Sequence, residues 1–500
     1  MKSRARMRAI RGRKPADPSM QDGTRIGLRC APLSEQDVQK VHRAALDLLQ
    51  DVGLANPTPR VRELCIEHGC TLVEDGRLAF PRSLIEDVIS NASKSFPVHG
   101  RYDRFIFEVK SGSVRFCTGG AAVQMLDMDT GRYRPSTLRD IYDLSRLCDT
   151  LESIHWFTRP VVATDIQDIF ELDVNTVLAC AMGTRKHIAT SFCNGEHVYR
   201  IAPMLDMIAG GSGRFRKKPF CTVHATTVVS PMTFARDGLD AACAAVDIGM
   251  PVHCLTGPQA GATAPAALAG TLAQGCAESL ATLAVVNLLK PGHPTILGNW
   301  TFVCDLRTGA FCGGGAEQAL LGAASGQMSA FYGVPGGMGA SMTDSKLPDY
   351  QAGFEKAFTL IMAALSGGGL VYESAGMLAS LIGCSLEAMV MDNEILSILS
   401  RLARGIEVTD ETLSVSVVRD CARQAGHFLG HSQTISLMES EYVYPKLADR
   451  SPPAAWYEAG AVGMREKAAA VVRQTLDTHQ PRYISGKAER LIREHYPVRF

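Results

Sequence analysis

From about residue 100 onward the chain alternates short β-prone runs with longer segments of helical spacing, and it does so eight times. The β-prone runs are 114–123, 155–161, 187–191, 221–227, 252–255, 295–298, 336–340 and 370–374. Segments such as 138–150, 166–181, 198–208, 235–248, 316–331 and 350–365 lie between them with apolar residues at helical spacing. Parallel strands need a crossover long enough to hold a helix, and eight such steps close on themselves around a filled interior. The expectation is an α/β fold, a (β/α)8 TIM barrel. A doubly wound open sheet is the alternative, weakened because no GxGxxG follows an early strand.

Helical patterns flank the alternating region. Ser34 opens an amphipathic segment that buries Val38, Val41, Ala45, Leu48 and Leu49 and stops at Gly53, and two more follow at about 59–68 and 82–93. The expected organisation is a disordered basic arm over 1–25, a helical extension over 26–99, the barrel over 100–386, and a helical extension over 387–500 packed on the barrel. The arm holds Lys2, Arg4, Arg6, Arg8, Arg11, Arg13 and Lys14 without the apolar run of a secretory signal. Overall, 51 basic residues balance 51 acidic ones, which argues against nucleic acid or an anionic membrane as partner. The longest apolar segment, 266–289, carries Thr271, Gln274, Glu278 and Thr282 at spacings of three and four, as a helix inside a large soluble protein would. Fifteen cysteines without a CxxC pair read as reduced, buried thiols of a cytoplasmic protein rather than a zinc site.

A barrel carries its chemistry at the C-terminal ends of its strands. Those ends offer Gln124, His155 and Trp156, His187, His224, Gln259, Asn299 and Trp300, the Met342–Lys346 loop, and Tyr372 with Glu373. The set is rich in aromatics and poor in carboxylates, with no HxH, HExxH or DxD cluster to hold a metal. His427 and His431, four apart on an expected helix, lack a third ligand. The glycine-rich loops TGPQAGATAP and CGGGAEQAL read either as tight turns or as places where helix N-terminal N–H groups meet an anion. The stretch GGMGASMTDSKLPDYQAGFEKA, 336–357, reads as strand, polar loop and helix, with Asp344 and Lys346 in the loop and Asp349 at the helix start.

Five runs carry a family likeness: TGPQAGATAP, GGGAEQALLGAASGQMSAFYGVP, MTDSKLPDYQAGFEKA, SAGMLASLIGCSLEAMVMDNEI and EYVYPKLADR. They resemble the trimethylamine methyltransferase MttB superfamily. The resemblance implies a barrel that moves a methyl group from a methylated amine to the Co(I) corrinoid (cobalamin) of a separate partner protein, with no cofactor bound covalently. It also implies that Met342 stands where archaeal members carry pyrrolysine, which points to the non-pyrrolysine branch and to quaternary amines such as glycine betaine, proline betaine or carnitine. On that reading Met342, Asp344 and Lys346 form the catalytic loop. Trp300, Tyr372, Glu373, His224, Gln259, Gln124, Trp156 and Tyr350 bind the substrate, with Phe302 and Tyr332 as further aromatics. Asp344 or Glu373 balances the cation, and His224, Lys346 or a glycine-loop helix terminus holds a substrate carboxylate. A cognate corrinoid protein and a homo-oligomer are the expected partners. The alternatives are a barrel lyase or aldolase with a desolvated Lys346 as Schiff base, and a methylamine-binding protein without turnover.

Overall fold

The computed structural model describes residues 24–25, 29–102, 105–423 and 426–500. Most of the expected basic arm therefore lies outside the described residues; Thr24–Arg25 form a short strand antiparallel to Ser113–Val114.

Eight parallel strands build the centre: β1 Ser113–Phe116, β2 Trp156–Thr158, β3 His187–Thr190, β4 Cys221–Thr226, β5 Val252–Thr256, β6 Thr295–Asn299, β7 Gly336–Gly339 and β8 Gly369–Tyr372. Each pairs in parallel with the next, and β8 pairs with β1. Closure between β1 and β2 comes from a parallel bridge, Cys117 to Trp156, and from the His155 N–H donating to the Phe116 carbonyl at 2.8 Å. All eight β-prone runs become barrel strands. They are nearly continuously buried rather than alternating, because side chains fill one face and helices cover the other.

The ring of helices is α1 Leu138–Thr150, α2 Ile169–Gly183, α3 Gly195–Ile208, α4 Arg236–Ile248, α5 Leu268–Leu289, α6 Ala316–Tyr332, α7 Tyr350–Leu365 and α8 Leu386–Arg404. Several begin on side chains able to take up free N–H groups. Thr137 and Asp140 make a reciprocal capping box for α1, and Asp168, Asn194, Asp349 and Ser385 cap α2, α3, α7 and α8. Helix α8 packs against α7 and α1 and is tied to α7 by the buried Lys356–Asp392 pair at 2.6 Å. It takes the eighth place in the ring, so the barrel runs past the boundary expected at residue 387.

Helix α5 is long and apolar enough to cross a membrane, and 89% of its apolar window is buried inside the protein. Its polar stripe is saturated. Glu278 accepts from Ser230 Oγ at 2.6 Å, Met232 N at 2.9 Å, Gln274 Nε2 at 2.9 Å and the Thr256 hydroxyl, while Thr282 and Thr227 share a hydroxyl bond at 2.8 Å. The stripe thus clamps α5 to the ends of β4 and β5. The N-terminal helices Glu35–Asp47, Pro59–Glu67 and Arg82–Asn91 share a core cluster with α5 on its outer side.

A hairpin, Ser95–Val98 with Phe107–Lys110, places Phe96, Val98, Phe107 and Val109 in one cluster with Trp156, Ile296, Trp300, Leu370 and Tyr372. It fills the barrel interior from below and straddles the boundary expected at residue 100. Beyond α8 the chain is helical at Val415–Arg423, Met464–Thr478 and Gly486–His495. His427 lies in an irregular stretch and His431 caps the short helix Ser432–Leu437, so the two do not face each other on a helix. All fifteen cysteines are free thiols.

Candidate active site

Inside the barrel, from the strand starts at Trp156, His187 and His253 up to the strand ends at Trp300 and Tyr372, aromatic and imidazole rings pack into one body. Trp300 and Tyr372 lie 5.4 Å apart between ring centroids; His253 stacks on Tyr372 at 4.4 Å, and His224 lies 5.4 Å from Trp300. Trp156 meets Tyr372 at 5.9 Å and His187 at 4.3 Å. The glycines of β7 make this packing possible. A Cβ on Gly337 would lie 2.8 Å from both His253 Nε2 and the Tyr372 ring, and one on Gly339 would lie 3.3 Å from the Trp300 ring and 3.4 Å from the Met342 methyl. Met342 is fully buried there. The structure thus brings Trp300, Tyr372, His224 and Met342 together; Trp156 and His187 are the first residues of β2 and β3 and His155 precedes β2, so these three lie at strand N-termini beneath the others and not at the C-terminal ends expected of them.

His224 and His253 sit opposite each other in register on adjacent strands, their Nδ1 atoms 3.0 Å apart. Two imidazoles joined this way share one proton, and burial keeps both neutral: His253 is driven well below its usual pKa, and His224 down to about 3 by burial and then by the charge of Arg159. A neutral His224 does not hold a carboxylate by charge. His253 was not singled out from sequence, although the runs CTVHAT and PVHCLT each place a histidine directly after a valine.

Buried polar side-chain atoms normally find partners. In this region Trp156 Nε1, Thr158 Oγ1, His253 Nε2, Trp300 Nε1, Ser341 Oγ, the Tyr372 hydroxyl and Glu373 Oε2 have none within the protein. Glu373 is the exceptional one. It is 2% exposed, stands in the left-handed region at φ 61°, and burial pushes its carboxyl up to about 8. Ser341, after the neighbouring strand, is left-handed at φ 69°. Strained backbone of this kind is tolerated mainly where function uses it.

Asp344 behaves in the opposite way. Its carboxylate accepts from Gly313 N at 2.8 Å, Gly314 N at 3.4 Å, Cys312 Sγ at 3.0 Å and Ser380 Oγ at 2.8 Å. It therefore fills the glycine-rich CGGGAEQAL loop with an anion of the protein's own and joins three rim loops. Glu355 holds the same loop from below, accepting from Thr343 Oγ1 at 2.5 Å and Asp344 N at 2.9 Å. Lys346 is exposed and donates to the Asp344 carbonyl at 2.7 Å. The desolvation a Schiff-base lysine needs is missing.

Three expected substrate residues stand apart from the rings. Gln259 pins the β5 and β6 loops together, its Nε2 donating to the Val303 carbonyl at 3.2 Å. Gln124 belongs to a small four-stranded sheet beside Gly383–Cys384. Tyr350 is 87% exposed at the start of α7, because Asp349 caps the helix and turns its first side chain outward. Tyr332 points into the core between α5 and the N-terminal helices.

Among the described residues one group has metal-ligand composition: Asp173, Cys193 and His197, with ligand atoms within 4.8 Å of one another. Asp173 accepts from His197 Nδ1 at 2.7 Å and from Cys193 N at 2.8 Å. The Asn194 amide meets His197 Nε2 at 3.3 Å, which requires a lone pair on Nε2 and hence the proton on Nδ1. That nitrogen is then a donor to Asp173, so the cluster reads as a satisfied hydrogen-bond network.

The family model described as trimethylamine methyltransferase (MTTB) matches residues 1–497. Trimethylamine methyltransferase MttB of Methanosarcina barkeri strain Fusaro is 30% identical over 91% of this chain and 92% of its own length. MttB of Desulfitobacterium hafniense strain DCB-2 is 28% identical over 93% of each, and the glycine betaine methyltransferase of D. hafniense strain Y51 is 29% identical over 85% of this chain and 88% of its own. Among solved structures, a dihydropteroate synthase of Coxiella burnetii in complex with pteroic acid superposes with a TM-score of 0.37 at 9% identity, covering 61% of this chain and 99% of its own. A match over nearly the whole chain makes this chain a member of the trimethylamine methyltransferase (MTTB) family.

Proposed function

We propose that the protein takes a methyl group from a quaternary methylamine such as glycine betaine and passes it to a corrinoid carried by a separate protein. The observation that carries this reading is the buried Glu373 carboxyl, whose Oε2 has no partner in the protein and which follows Tyr372 of the Trp300–Tyr372 corner in the chain, with the Met342 methyl near the same corner. Aromatic faces and one buried carboxylate are what a permanently charged trimethylammonium group requires. A thioether packs against methyl groups but cannot add to an amine. Burial lowers the pKa of both site histidines, which makes them weak bases for removing the proton of a trimethylammonium ion. A quaternary cation avoids that step.

The corrinoid, bound to its own protein, would supply the low-valent cobalt nucleophile. Of the two carboxylates expected to balance the cation, Asp344 is consumed by its four donors, whereas Glu373 keeps an unpartnered Oε2. Trp300 and Tyr372 orient the cation, Met342 seats its methyl groups, and Glu373 gives up its proton as the cation arrives. When the methyl leaves, the C–N electron pair stays on nitrogen and a neutral tertiary amine results, so no proton has to reach the leaving group. The loops leaving β1, β6, β7 and β8 expose Val123, Leu306, Leu347, Tyr350 and Ile382. This apolar collar suits a docked corrinoid protein and gives Tyr350 a role outside the substrate pocket. A homo-oligomer is proposed on separate grounds: Ile406, Val408, Leu413, Val415 and Leu429 of the C-terminal extension are exposed together on one short stretch of chain. Light scattering on the purified protein tests it, and a monomer at micromolar concentration would contradict it.

The functional test uses the full-length protein with a corrinoid protein reduced to Co(I), offering glycine betaine, proline betaine, carnitine and trimethylamine separately and following the cobalt spectrum. Demethylation of one or more quaternary amines is expected. Turnover of trimethylamine alone would overturn the reading.

A further inference from the structure

The three groups that the sequence offers for a substrate carboxylate are all committed elsewhere. His224 is held neutral by burial, Lys346 is exposed and bonded to the Asp344 carbonyl, and the N–H groups of Gly313 and Gly314 point at Asp344. A half-buried cation that none of the sequence motifs marks remains at the opposite side of the barrel. Arg159 follows Thr158 at the C-terminal end of β2, its own N–H donating to the Ala189 carbonyl at 3.0 Å. Its guanidinium has five N–H donors and makes one hydrogen bond, from Nη1 to the Val161 carbonyl at 3.3 Å.

Other arginines of the barrel hold a carboxylate directly: Arg134 meets Asp140 at 2.7 Å, Arg146 meets Asp143 at 2.8 Å and Arg185 meets Asp149 at 2.7 Å. Arg159 has no such pair among the described residues. Its surroundings are negative only at a distance, through Asp173, which is itself engaged with His197 and Cys193. On its other side its charge reaches His224 and opposes that ring's protonation, which puts it within electrostatic range of the aromatic corner. The Thr158 hydroxyl, one residue back, is buried and also unpartnered. In the order of the eight strands, β2 and β6 are diametrically placed, so Arg159 and Trp300 stand across the mouth from each other.

We propose that Arg159 is the anchor for a substrate carboxylate, so that the site takes zwitterionic quaternary amines with a carboxylate at one end and a trimethylammonium group at the other. This rests on the quaternary-amine reading above and narrows it. A guanidinium binds a carboxylate through two parallel N–H···O bonds, which fixes direction as well as affinity. Thr158 supplies one more hydroxyl at the same end. The cationic head then meets Trp300, Tyr372, Glu373 and Met342, and the chain length that binds best reports the span between the two ends.

The test is calorimetric binding to the full-length protein, needing neither corrinoid nor turnover. The probes are glycine betaine, its methyl ester, and 3,3-dimethylbutanoate, which keeps the carboxylate and replaces the cation by an uncharged tert-butyl group. Wild type is expected to bind glycine betaine at least about thirtyfold tighter than the ester, and Arg159→Gln to bring the two within about threefold while leaving the ester unchanged. Equal binding of betaine and ester by wild type, or an equal loss for both in the variant, overturns the proposal. Arg159→Lys serves if the glutamine variant does not fold, with a loss of about tenfold expected for carboxylates only. If 3,3-dimethylbutanoate binds in an Arg159-dependent way while no quaternary cation adds affinity, the carboxylate anchor stands and the methylamine function falls.

Discussion

Two neighbouring strand ends on the barrel rim share a backbone conformation and differ in everything else. Ser341 after β7 and Glu373 after β8 are both left-handed. Beyond Ser341, the polar groups of Thr343, Asp344 and Ser345 are bound into a network that reaches Cys312, Gly313, Ser380, Asp349 and Glu355. At the end of β8, the Tyr372 hydroxyl and Glu373 Oε2 have no protein partner. A saturated carboxylate has no capacity left for a ligand and acts as scaffold. An unsaturated buried one lowers stability and persists where a ligand completes it.

The largest effect expected from that contrast is at Glu373. Its folded pKa of about 8 lies above the ordinary carboxyl value of 4.5, so between those pH values the folded state holds a proton the unfolded state has lost. Stability therefore falls as pH rises through this window and levels off above it. Glu373→Gln should abolish the slope and make the protein more stable than wild type at pH 8, by an amount on the order of a few kcal/mol. The same variant should bind a quaternary ammonium ion about a hundredfold more weakly. In wild type the dissociation constant should fall about tenfold per pH unit up to pH 8, because binding the cation expels the proton. Denaturant titrations and calorimetry at pH 6, 7 and 8 check both halves, and pH-independent binding by wild type would break the comparison.

Asp344→Ala tests the saturated side. It leaves the Gly313 and Gly314 N–H groups and the Ser380 hydroxyl without their acceptor, which should lower stability by about 2 to 3 kcal/mol in denaturant titration. The pH slope assigned to Glu373 should survive. A smaller expected effect belongs to Trp300→Leu, which removes one aromatic face from the cation: affinity for the quaternary amine should drop about tenfold, with the affinity of an uncharged isostere nearly unchanged. A loss shared by both ligands would mean that Trp300 supports the core and not the cation.

The barrel was legible because strand and helix differ in period and because eight alternations admit few closures. The helix ring was less so: α8 reads in sequence as the start of a tail, since nothing in LEAMVMDNEI distinguishes packing on α7 and α1 from packing on the barrel's outside. At the site, Trp300, Tyr372, Glu373 and Met342 were legible as strand-end residues. Their division of labour was not, because whether a carboxylate is saturated depends on residues 30 or more positions away, as Asp344 with Gly313 and Gly314 illustrates. His253 and Arg159 escaped for a related reason. The first matters through its register with His224 and the second through the absence of a partner, and neither property is local in the chain.

Lys346→Met carries the smallest expected effect and sharpens the comparison from the side of the loop. Lys346 is the cation of the Met342–Lys346 loop, and a covalent role would make it indispensable. Its side chain is exposed and donates to the Asp344 carbonyl at 2.7 Å, an interaction that water replaces at little cost. The loop keeps its shape through Asp344, Glu355 and the Ala379 and Ser380 N–H groups, which donate to the Ser345 and Thr343 carbonyls at 2.8 Å each. Methionine retains the length of the stem and removes the charge, so methyl transfer should fall by less than about threefold, through less than about 1 kcal/mol of lost loop order. Substrate affinity measured by calorimetry should be unchanged. Complete loss of turnover together with an imine trapped by borohydride in wild type would assign Lys346 the covalent role that its solvent exposure argues against, and would move the chemistry from the unsaturated strand end to the saturated loop.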